Sequence, residues 1–236
     1  MEKKREKNKK SKRFISFIFI ILLLATIVVA AIFIGDNMNI VRLNKEASDY
    51  LDELEKLRIS LEEENREKPE EVNVTAEGID VEDEGQSGEK KKSPRGISTD
   101  SRVYKGYTVA GMIEMPSVNL RYPILDTMTN ANALDVSVCI QYGGPLNSVG
   151  NTIIIGHNYK NGLFFGSNKN MKNGDQVHIT NYATGVKKTY SIYSIYQTEE
   201  SDTSFYNRDT GGKSEITLVT CQNNNKYRLV IKAKEI

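Results

Sequence analysis

The chain has 236 residues, of which 39% are hydrophobic and 27% charged, and its 32 basic and 31 acidic residues leave a formal net charge of +1. This balance excludes the overall basicity typical of a nucleic-acid-binding domain, so no nucleic-acid partner is expected. The length by itself permits one or two domains. The charges are unevenly distributed, because the start of the chain is basic and the middle is acidic, so composition divides the chain into segments.

The first segments predict a membrane anchor. Residues 1–13 carry eight Lys or Arg against two Glu, and residues 14–34 contain no charge. At about 1.5 Å per helical residue, this uncharged run spans roughly the 30 Å hydrocarbon core of a bilayer. We predict a transmembrane signal anchor with a cytoplasmic basic tail and the rest of the chain outside, by the positive-inside rule. A cleaved signal peptide is the alternative, but its apolar region would be only about 7–15 residues long.

Residues 35–68 are predicted to form a helical stalk. An apolar residue recurs there at alternating intervals of four and three, at Leu43, Ala47, Tyr50, Leu54, Leu57 and Leu61. Because the stripe lasts fewer than three heptads, it fits packing on the following domain as well as weak dimerisation of two stalks. Residues 69–100 are rich in Glu, Asp, Gly, Ser and Lys and are predicted to be a flexible linker, since they cannot bury enough apolar surface to fold.

Residues 101–236 have the size of one domain with its own core. Seven short apolar or alternating segments are separated by turns rich in Gly, Asn and Pro, which predicts an all-β barrel or sandwich. The segments are Gly111–Met115, Leu120–Leu125, Thr152–Ile155, Val177–Thr180, Lys188–Ile195, Glu215–Cys221 and Tyr227–Lys232.

The last two segments predict a hairpin that places a cysteine beside an arginine. Side chains alternate along a strand, so Thr217, Val219 and Cys221 share one face. With a short turn between the strands, Arg228 is expected opposite or diagonal to Cys221. Taken alone, the pattern fits an inert core cysteine equally well.

The chain contains two cysteines and two histidines, which limits the chemistry available. A disulfide between Cys139 and Cys221 is one interpretation for an exported protein. Zinc binding is disfavoured, because no CxxC or HxxxH spacing is present. Thiol catalysis needs a histidine near the thiol, and His157 ends a predicted strand where a substrate can reach it. We expect His178 to be a surface residue within a strand and Cys139 to pack in the core.

Several motifs in chain order resemble those of the sortases, the membrane-anchored cysteine transpeptidases of Gram-positive bacteria. The motif Thr217-Leu218-Val219-Thr220-Cys221 is followed by Arg228 and preceded upstream by Gly156-His157-Asn158. The segments Gly111–Pro116 and Tyr122–Leu125 resemble the start of the same domain. A TLxTC motif alone is weak, whereas the ordered set together with an export anchor is specific.

The resemblance covers nearly all of residues 105–236 and implies an eight-stranded β-barrel with short helices. It implies no cofactor and no metal site, and it leaves calcium dependence open. It also implies catalytic residues, beside which we expect two substrate-binding positions: Cys221, His157 and Arg228 for catalysis, and Thr220 and Asn158 at the substrate.

The implied activity is cleavage of an LPxTG-like sorting signal between Thr and Gly, through a thioacyl intermediate, followed by joining to a cell-wall amine. The implied partners are surface proteins that carry this signal and a peptidoglycan precursor or cross-bridge amine. The implied location is the cell membrane, with a single span and an extracellular catalytic domain. Two alternatives are an inert sortase-like scaffold or binding protein, and another exported thiol peptidase or transpeptidase.

Spacing favours a class A-like or class D-like enzyme. The 64 positions from His157 to Cys221 are too few for the long helical insertion of class B. The absence of a membrane segment after Ile236 and of a clear lid before Gly111 argues against the pilin-polymerising class C. The interval of seven between Cys221 and Arg228 predicts a reduced loop beside the substrate groove.

Overall fold

The computed structural model describes residues 2–67, 96–127, 132–222 and 225–236. The linker predicted over 69–100 therefore lies outside the described residues as far as residue 95. The chain forms two compact units, Met1–Glu46 and Ala47–Ile236, which we call the N-terminal unit and the barrel unit. Each unit is described by itself.

The N-terminal unit is formed by helix α1, which runs over Glu2–Glu67 and continues into the barrel unit. Among the described residues, α1 contains an 18-residue window of mean hydropathy 3.3, with none of it buried. Large apolar side chains such as Phe17, Phe19 and Phe33 are more than half exposed. A helix of this length and composition is able to cross a bilayer. This agrees with the anchor predicted over residues 14–34, while the direction of crossing stays a prediction.

The barrel unit is a closed β-barrel. The described residues form nine strands: β1 (Val103–Tyr104), β2 (Tyr107–Met115), β3 (Leu120–Leu125), β4 (Val138–Tyr142), β5 (Gly150–Ile155), β6 (Gln176–Asn181), β7 (Lys187–Glu199), β8 (Ser214–Gln222) and β9 (Tyr227–Glu235). Their hydrogen-bonded order is β1-β2-β3-β4-β5-β8-β9-β7-β6. Strand β6 also pairs with β2, so eight strands close the barrel and β1 extends one edge. The predicted eight-stranded barrel is confirmed.

Short helices lie in the connections, as expected. Helix α2 covers Ala133–Val136, between β3 and β4, and 3₁₀ turns cover Thr99–Ser101, Pro116–Val118 and Asn168–Asn170. All seven predicted strands are present, and most extend by one to four residues beyond the predicted bounds. Strands β1 and β4 were not predicted, because two residues are too few to show alternation and the end of β4 is exposed and polar.

Strand β8 is buried on both of its faces, which positions the functional site. Ile216 and Leu218 are completely buried on one face, and Val219 is 5% exposed on the other. Val219 belongs to a small apolar cluster with Ile153, Val230 and Phe205, and Phe205 comes from the connection between β7 and β8. This connection therefore covers the sheet formed by β5, β8 and β9.

The last turns of α1 belong to the barrel unit and pack on its surface. Ala47, Leu51 and Leu54 are buried, as the apolar stripe of the stalk would require. The rings of Tyr50 and Tyr104 in β1 lie 4.8 Å apart, and Asp52 pairs with Arg121 in β3 at 2.6 Å. Of the two interpretations that the stripe permits, the structure contains packing on the domain.

Leu51→Ala is expected to lower the free energy of unfolding of the barrel unit by about 2 kcal/mol, because lost burial and a residual cavity both contribute. Leu57→Ala is the matched control on the same helix, since Leu57 is 36% exposed and surface changes stay within about 0.5 kcal/mol. Urea unfolding of the full chain in detergent, followed by tyrosine near-ultraviolet circular dichroism, measures both. Equal midpoints would contradict packing of the helix on the barrel.

Candidate active site

The barrel topology brings three predicted site residues to one edge. Cys221 near the end of β8 pairs directly with Arg228 near the start of β9, as the alternation predicted. Strands β5 and β8 are parallel, with Ile155 opposite Val219. His157 follows β5 by two residues and so emerges at the same edge as Cys221, two residues beyond Val219. Parallel pairing therefore supplies the histidine, and the antiparallel hairpin supplies the arginine.

These residues line one groove, which we call the Cys221 groove. It is an open cavity of about 340 Å³ whose walls include His157, Thr220, Cys221 and Arg228. The connection between β7 and β8 also lines the groove, with Glu200, Asp202, Thr203, Phe205 and Tyr206. Leu134 of α2 and Gln141 of β4 complete the lining. The groove is mixed in character, since apolar and charged side chains both line it.

The two thiols lie in different environments. Cys139 is completely buried in β4, and burial raises the pKa of its thiol to about 12. Cys221 is partly exposed in the groove, and both cysteines are free. The structure thus contains no bridge between these two residues, and Cys139 packs in the core as expected.

Iodoacetamide is expected to modify Cys221 and to spare Cys139 in the folded chain at about pH 8, because only thiolates react. Burial keeps the Cys139 thiol protonated well above that pH. Mass spectrometry of tryptic peptides measures modification at each position, and the urea-unfolded chain, in which both cysteines react, is the control. Equal modification of both cysteines in the folded chain would contradict the burial of Cys139.

His157 is held from two sides. Its Nε2 lies 3.3 Å from Oδ1 of Asp135, and its ring centroid lies 5.1 Å from that of Tyr159. The Tyr159 hydroxyl donates a hydrogen bond to the same Asp135 oxygen at 3.1 Å. Gly156 precedes His157 where no side chain fits, since a Cβ there would lie 2.8 Å from Cγ1 of Val138. Close packing under the loop therefore determines where the imidazole stands.

Arg228 is anchored at its guanidinium, and its side chain is 19% exposed. Nη1 donates to the carbonyl oxygens of Asn225 at 2.8 Å and Tyr227 at 3.2 Å, and Nη2 donates to the Glu200 carboxylate. A guanidinium carries five N–H donors in a rigid fork. Further donors therefore remain for a group bound in the groove.

Thr220 and Asn158 connect the two segments that carry the thiol and the imidazole. The Thr220 hydroxyl donates to the carbonyl oxygen of Gly156 at 2.6 Å, and Thr220 is 4% exposed. The Asn158 side chain donates to the carbonyl oxygen of Cys221 at 2.7 Å. These bonds fix the spacing of Cys221 and His157. Contact of either residue with a substrate stays a prediction.

The other sequence expectations have simple outcomes. His178 lies within β6, half-buried, with Nδ1 3.0 Å from the Thr189 hydroxyl. Within the described ranges, no group of three or more His, Cys, Asp or Glu is placed to hold a metal ion. Asp135 and Glu200 were missed as site residues, because each reaches its partner only through folding and neither belongs to a motif.

A closed β-barrel that holds a cysteine, a histidine and an arginine in one groove is the architecture that the sequence motifs imply for a cysteine transpeptidase. The family model of the sortase domain matches residues 113–236, which is more than half of the chain. The chain belongs to the sortase family.

The chain is also similar to individual known proteins. The chain is 30% identical over 114 residues to sortase A of Bacillus anthracis, covering 48% of this chain and 52% of that protein. It thus spans about half the length of the curated relative it matches. A solved structure of sortase A from Corynebacterium diphtheriae superposes with a TM-score of 0.50 at 25% identity, covering 58% of this chain and 63% of that one. A lid mutant of that sortase gives 0.49 at 26% identity, covering 54% and 70%.

Proposed function

We propose that this protein is a membrane-anchored transpeptidase that cleaves an LPxTG-like sorting signal between Thr and Gly. It then joins the surface protein that carried the signal to a cell-wall amine. The observation that carries the proposal is the groove in which Cys221, His157 and Arg228 meet. The sortase family supports the general reaction, and the apolar span of α1 supports a membrane anchor. Residues 1–13 would then lie in the cytoplasm and the barrel unit outside.

Cys221 is the proposed nucleophile. The thiolate is the reactive form of cysteine, and cations close to a thiol favour it. Arg228 is the direct cross-strand neighbour of Cys221 and carries a permanent positive charge. The sulfur attacks the Thr carbonyl carbon of the signal, and the thioacyl bond that forms replaces the Thr–Gly amide.

Arg228 is the proposed stabiliser of the negative charge that develops on the Thr carbonyl oxygen. Preorganised donors aimed at such an oxygen lower the barrier most when they do not have to reorganise during the reaction. The bonds to the Asn225 and Tyr227 carbonyls hold the guanidinium in place before substrate arrives. The donors that these bonds leave are the ones that we assign to the oxyanion.

His157 is the proposed acid and base. It protonates the departing glycine amine as the amide breaks, then takes a proton from the incoming amine that attacks the thioacyl carbon. Cys221 leaves as thiolate in the second step, so the site returns to its starting state. The product is a surface protein joined through its Thr to the acceptor amine.

The walls of the groove suit an extended, largely apolar peptide. Val219, Ile155 and Phe205 line the groove and are apolar, which suits the Leu and Pro of a sorting signal. The connection between β8 and β9 is short, from Gln222 to Tyr227, as the spacing predicted. The longer connection between β7 and β8 supplies five residues of the groove lining and is the segment that we expect to select the variable residues of the signal.

The experiment uses the full chain in detergent with a panel of fluorogenic sorting peptides that differ at each motif position. Each peptide is tested with and without an oligoglycine acceptor. We expect cleavage between Thr and Gly, and a mass that corresponds to the Thr carboxyl group joined to the acceptor. Absence of cleavage across the panel, with the barrel shown to be folded and Cys221 reactive toward iodoacetamide, would point instead to another thiol peptidase. An unreactive Cys221 would favour the inert scaffold.

A further inference from the structure

We infer that Asp135 is a positioning residue that keeps Nε2 of His157 protonated, so that Nδ1 is the nitrogen that exchanges protons with the substrate amines. The inference deepens the proposed function and rests on it. Oδ1 of Asp135 lies 3.3 Å from Nε2 of His157 and accepts a hydrogen bond from Tyr159 at 3.1 Å. One carboxylate oxygen thus contacts both aromatic residues of the loop that follows β5.

The position of Asp135 is defined by its short helix. Ser137, directly after α2, donates its backbone N–H to the carbonyl oxygen of Ala133 and its hydroxyl to that of Pro123 in β3 at 2.6 Å. Ala133 and Ser137 are completely buried. The two ends of α2 are therefore fixed to the barrel, and Asp135 between them faces the loop that carries His157.

Tyr159 holds the second side of the imidazole. Its ring lies against His157 and, at 5.7 Å between centroids, against Phe164. Phe164 has φ of 51°, a left-handed conformation that side-chain-bearing residues rarely adopt. Its ring also contacts Tyr122 at 5.3 Å. Burial, and then the hydrogen bond to Asp135, raise the pKa of Tyr159, so its hydroxyl remains a donor at neutral pH.

The chemistry follows from what each atom can donate or accept. A neutral imidazole has one N–H donor and one acceptor nitrogen, and the partner of one nitrogen determines the tautomer. An ionised carboxylate only accepts. The Asp135 oxygen lies 3.3 Å from Nε2, where its negative charge attracts an N–H and repels a nitrogen lone pair. Asp135 therefore favours the Nε2–H tautomer, and Nδ1 is left as the basic nitrogen.

Each proton can then be followed through the reaction. The imidazolium gives its Nδ1 proton to the glycine nitrogen as the Thr–Gly bond breaks and the thioacyl bond to Cys221 forms. The neutral ring keeps its remaining proton on Nε2, beside the Asp135 carboxylate. The acceptor amine then attacks the thioacyl carbon and transfers a proton to Nδ1, and Cys221 leaves as thiolate. The Asp135 carboxylate stabilises the imidazolium at both ends of this cycle, as the acid of a Ser-His-Asp triad does.

The expected effect is moderate, because Asp135 is 64% exposed at its side chain. Exposed ion pairs contribute little free energy, so loss of the charge should lower kcat by about 5- to 10-fold rather than by the much larger factor of a buried triad acid. KM should change less than about twofold, because Asp135 does not line the groove and an interaction made only in the transition state acts on kcat.

Three variants of the full chain in detergent separate the possibilities. Asp135→Asn keeps the shape and removes the charge. Tyr159→Phe keeps the ring against His157 and removes only the hydroxyl. It should lower kcat less than about threefold, because the lost hydrogen bond reaches the exposed Asp135 carboxylate rather than the imidazole and is screened by water. Asp100→Asn removes another exposed acid, in the 3₁₀ turn before β1, and should leave kcat unchanged. Thermal unfolding checks that all three variants fold.

Ring-nitrogen NMR gives a readout that does not depend on activity. The chain has only two histidines, so ¹⁵N-histidine labelling yields two ring spin systems. At about pH 8.5, where an ordinary imidazole is neutral, we expect His157 to be the Nε2–H tautomer in the parent chain and a mixture in Asp135→Asn. His178, which contacts Thr189, should be unchanged and serves as the internal reference.

The outcomes are distinguishable. If the parent chain cleaves the sorting peptide and Asp135→Asn has the same kcat, the positioning role is overturned and the proposed function stands. If the parent chain cleaves no peptide, the proposed function fails, and the ring spectra alone decide whether Asp135 sets the tautomer. Identical His157 spectra in the parent chain and in Asp135→Asn would overturn the inference in either case.

Discussion

Cys221→Ala is expected to abolish cleavage and joining of a sorting peptide, lowering kcat/KM by about a thousandfold or more, because the thioacyl bond cannot form without the nucleophile. The groove and its other walls should be intact in this variant, since Cys221 is partly exposed at the end of β8. Peptide binding is therefore expected to persist while turnover is lost. Steady-state cleavage of a fluorogenic peptide by the full chain, with fluorescence anisotropy for binding, measures both quantities.

Cys139→Ala is the matched control for the nucleophile. It removes the other thiol, which lies completely buried in β4. Loss of one buried sulfur should reduce stability by about 1 kcal/mol or slightly more and leave kcat/KM unchanged. Residual activity in Cys221→Ala that disappears when Cys139 is also replaced would show that the nucleophile had been assigned to the wrong cysteine.

The cross-strand pairing of Cys221 with Arg228 could be predicted from the sequence, because both residues lie on one hairpin. Alternation determines which face each side chain takes, and a short turn determines which residues pair. The observed register pairs them directly. The position of His157 could not be predicted from hairpin geometry, since the parallel pairing of β5 with β8 joins strands that are distant in the chain. Only the set of motifs in chain order indicated that His157 lies near Cys221.

The carboxylates of the site could not be predicted in the same way. Asp135 reaches His157 only because α2 is fixed to β3, and Glu200 reaches Arg228 only because β7 pairs with β9. Neither contact leaves a periodic pattern or a fixed spacing in the sequence. Packing of the stalk helix was likewise one of two interpretations of a short apolar stripe, and its contacts with Tyr104 of β1 and Arg121 of β3 show that the packing occurs. Dimerisation through the stalk stays a prediction.

Both basic residues of the site therefore have an acidic partner on a neighbouring connection. His157 contacts Asp135, and Arg228 contacts Glu200. The Glu200 side chain is 63% exposed, so its attraction for the guanidinium is screened by water and costs little to replace. A substrate carbonyl can thus compete for the same fork of donors. The backbone carbonyls of Asn225 and Tyr227 keep Arg228 in place during this exchange.

Arg228→Lys should lower kcat by about 100-fold or more, the scale found when one oxyanion donor is removed. Lysine keeps the positive charge but has no planar fork, so it cannot bond the Asn225 and Tyr227 carbonyls and still present donors in a fixed direction.

Glu200→Gln is the matched control, because it weakens the same ion pair from the other side without altering Arg228. As an exposed pair contributes little, this variant should change kcat less than about threefold. Cleavage of one fluorogenic peptide by the parent chain and both variants measures the effect, with thiol alkylation to confirm that Cys221 remains accessible. An equal loss of kcat in both variants would mean that Arg228 acts through its ion pair with Glu200 rather than through the substrate carbonyl.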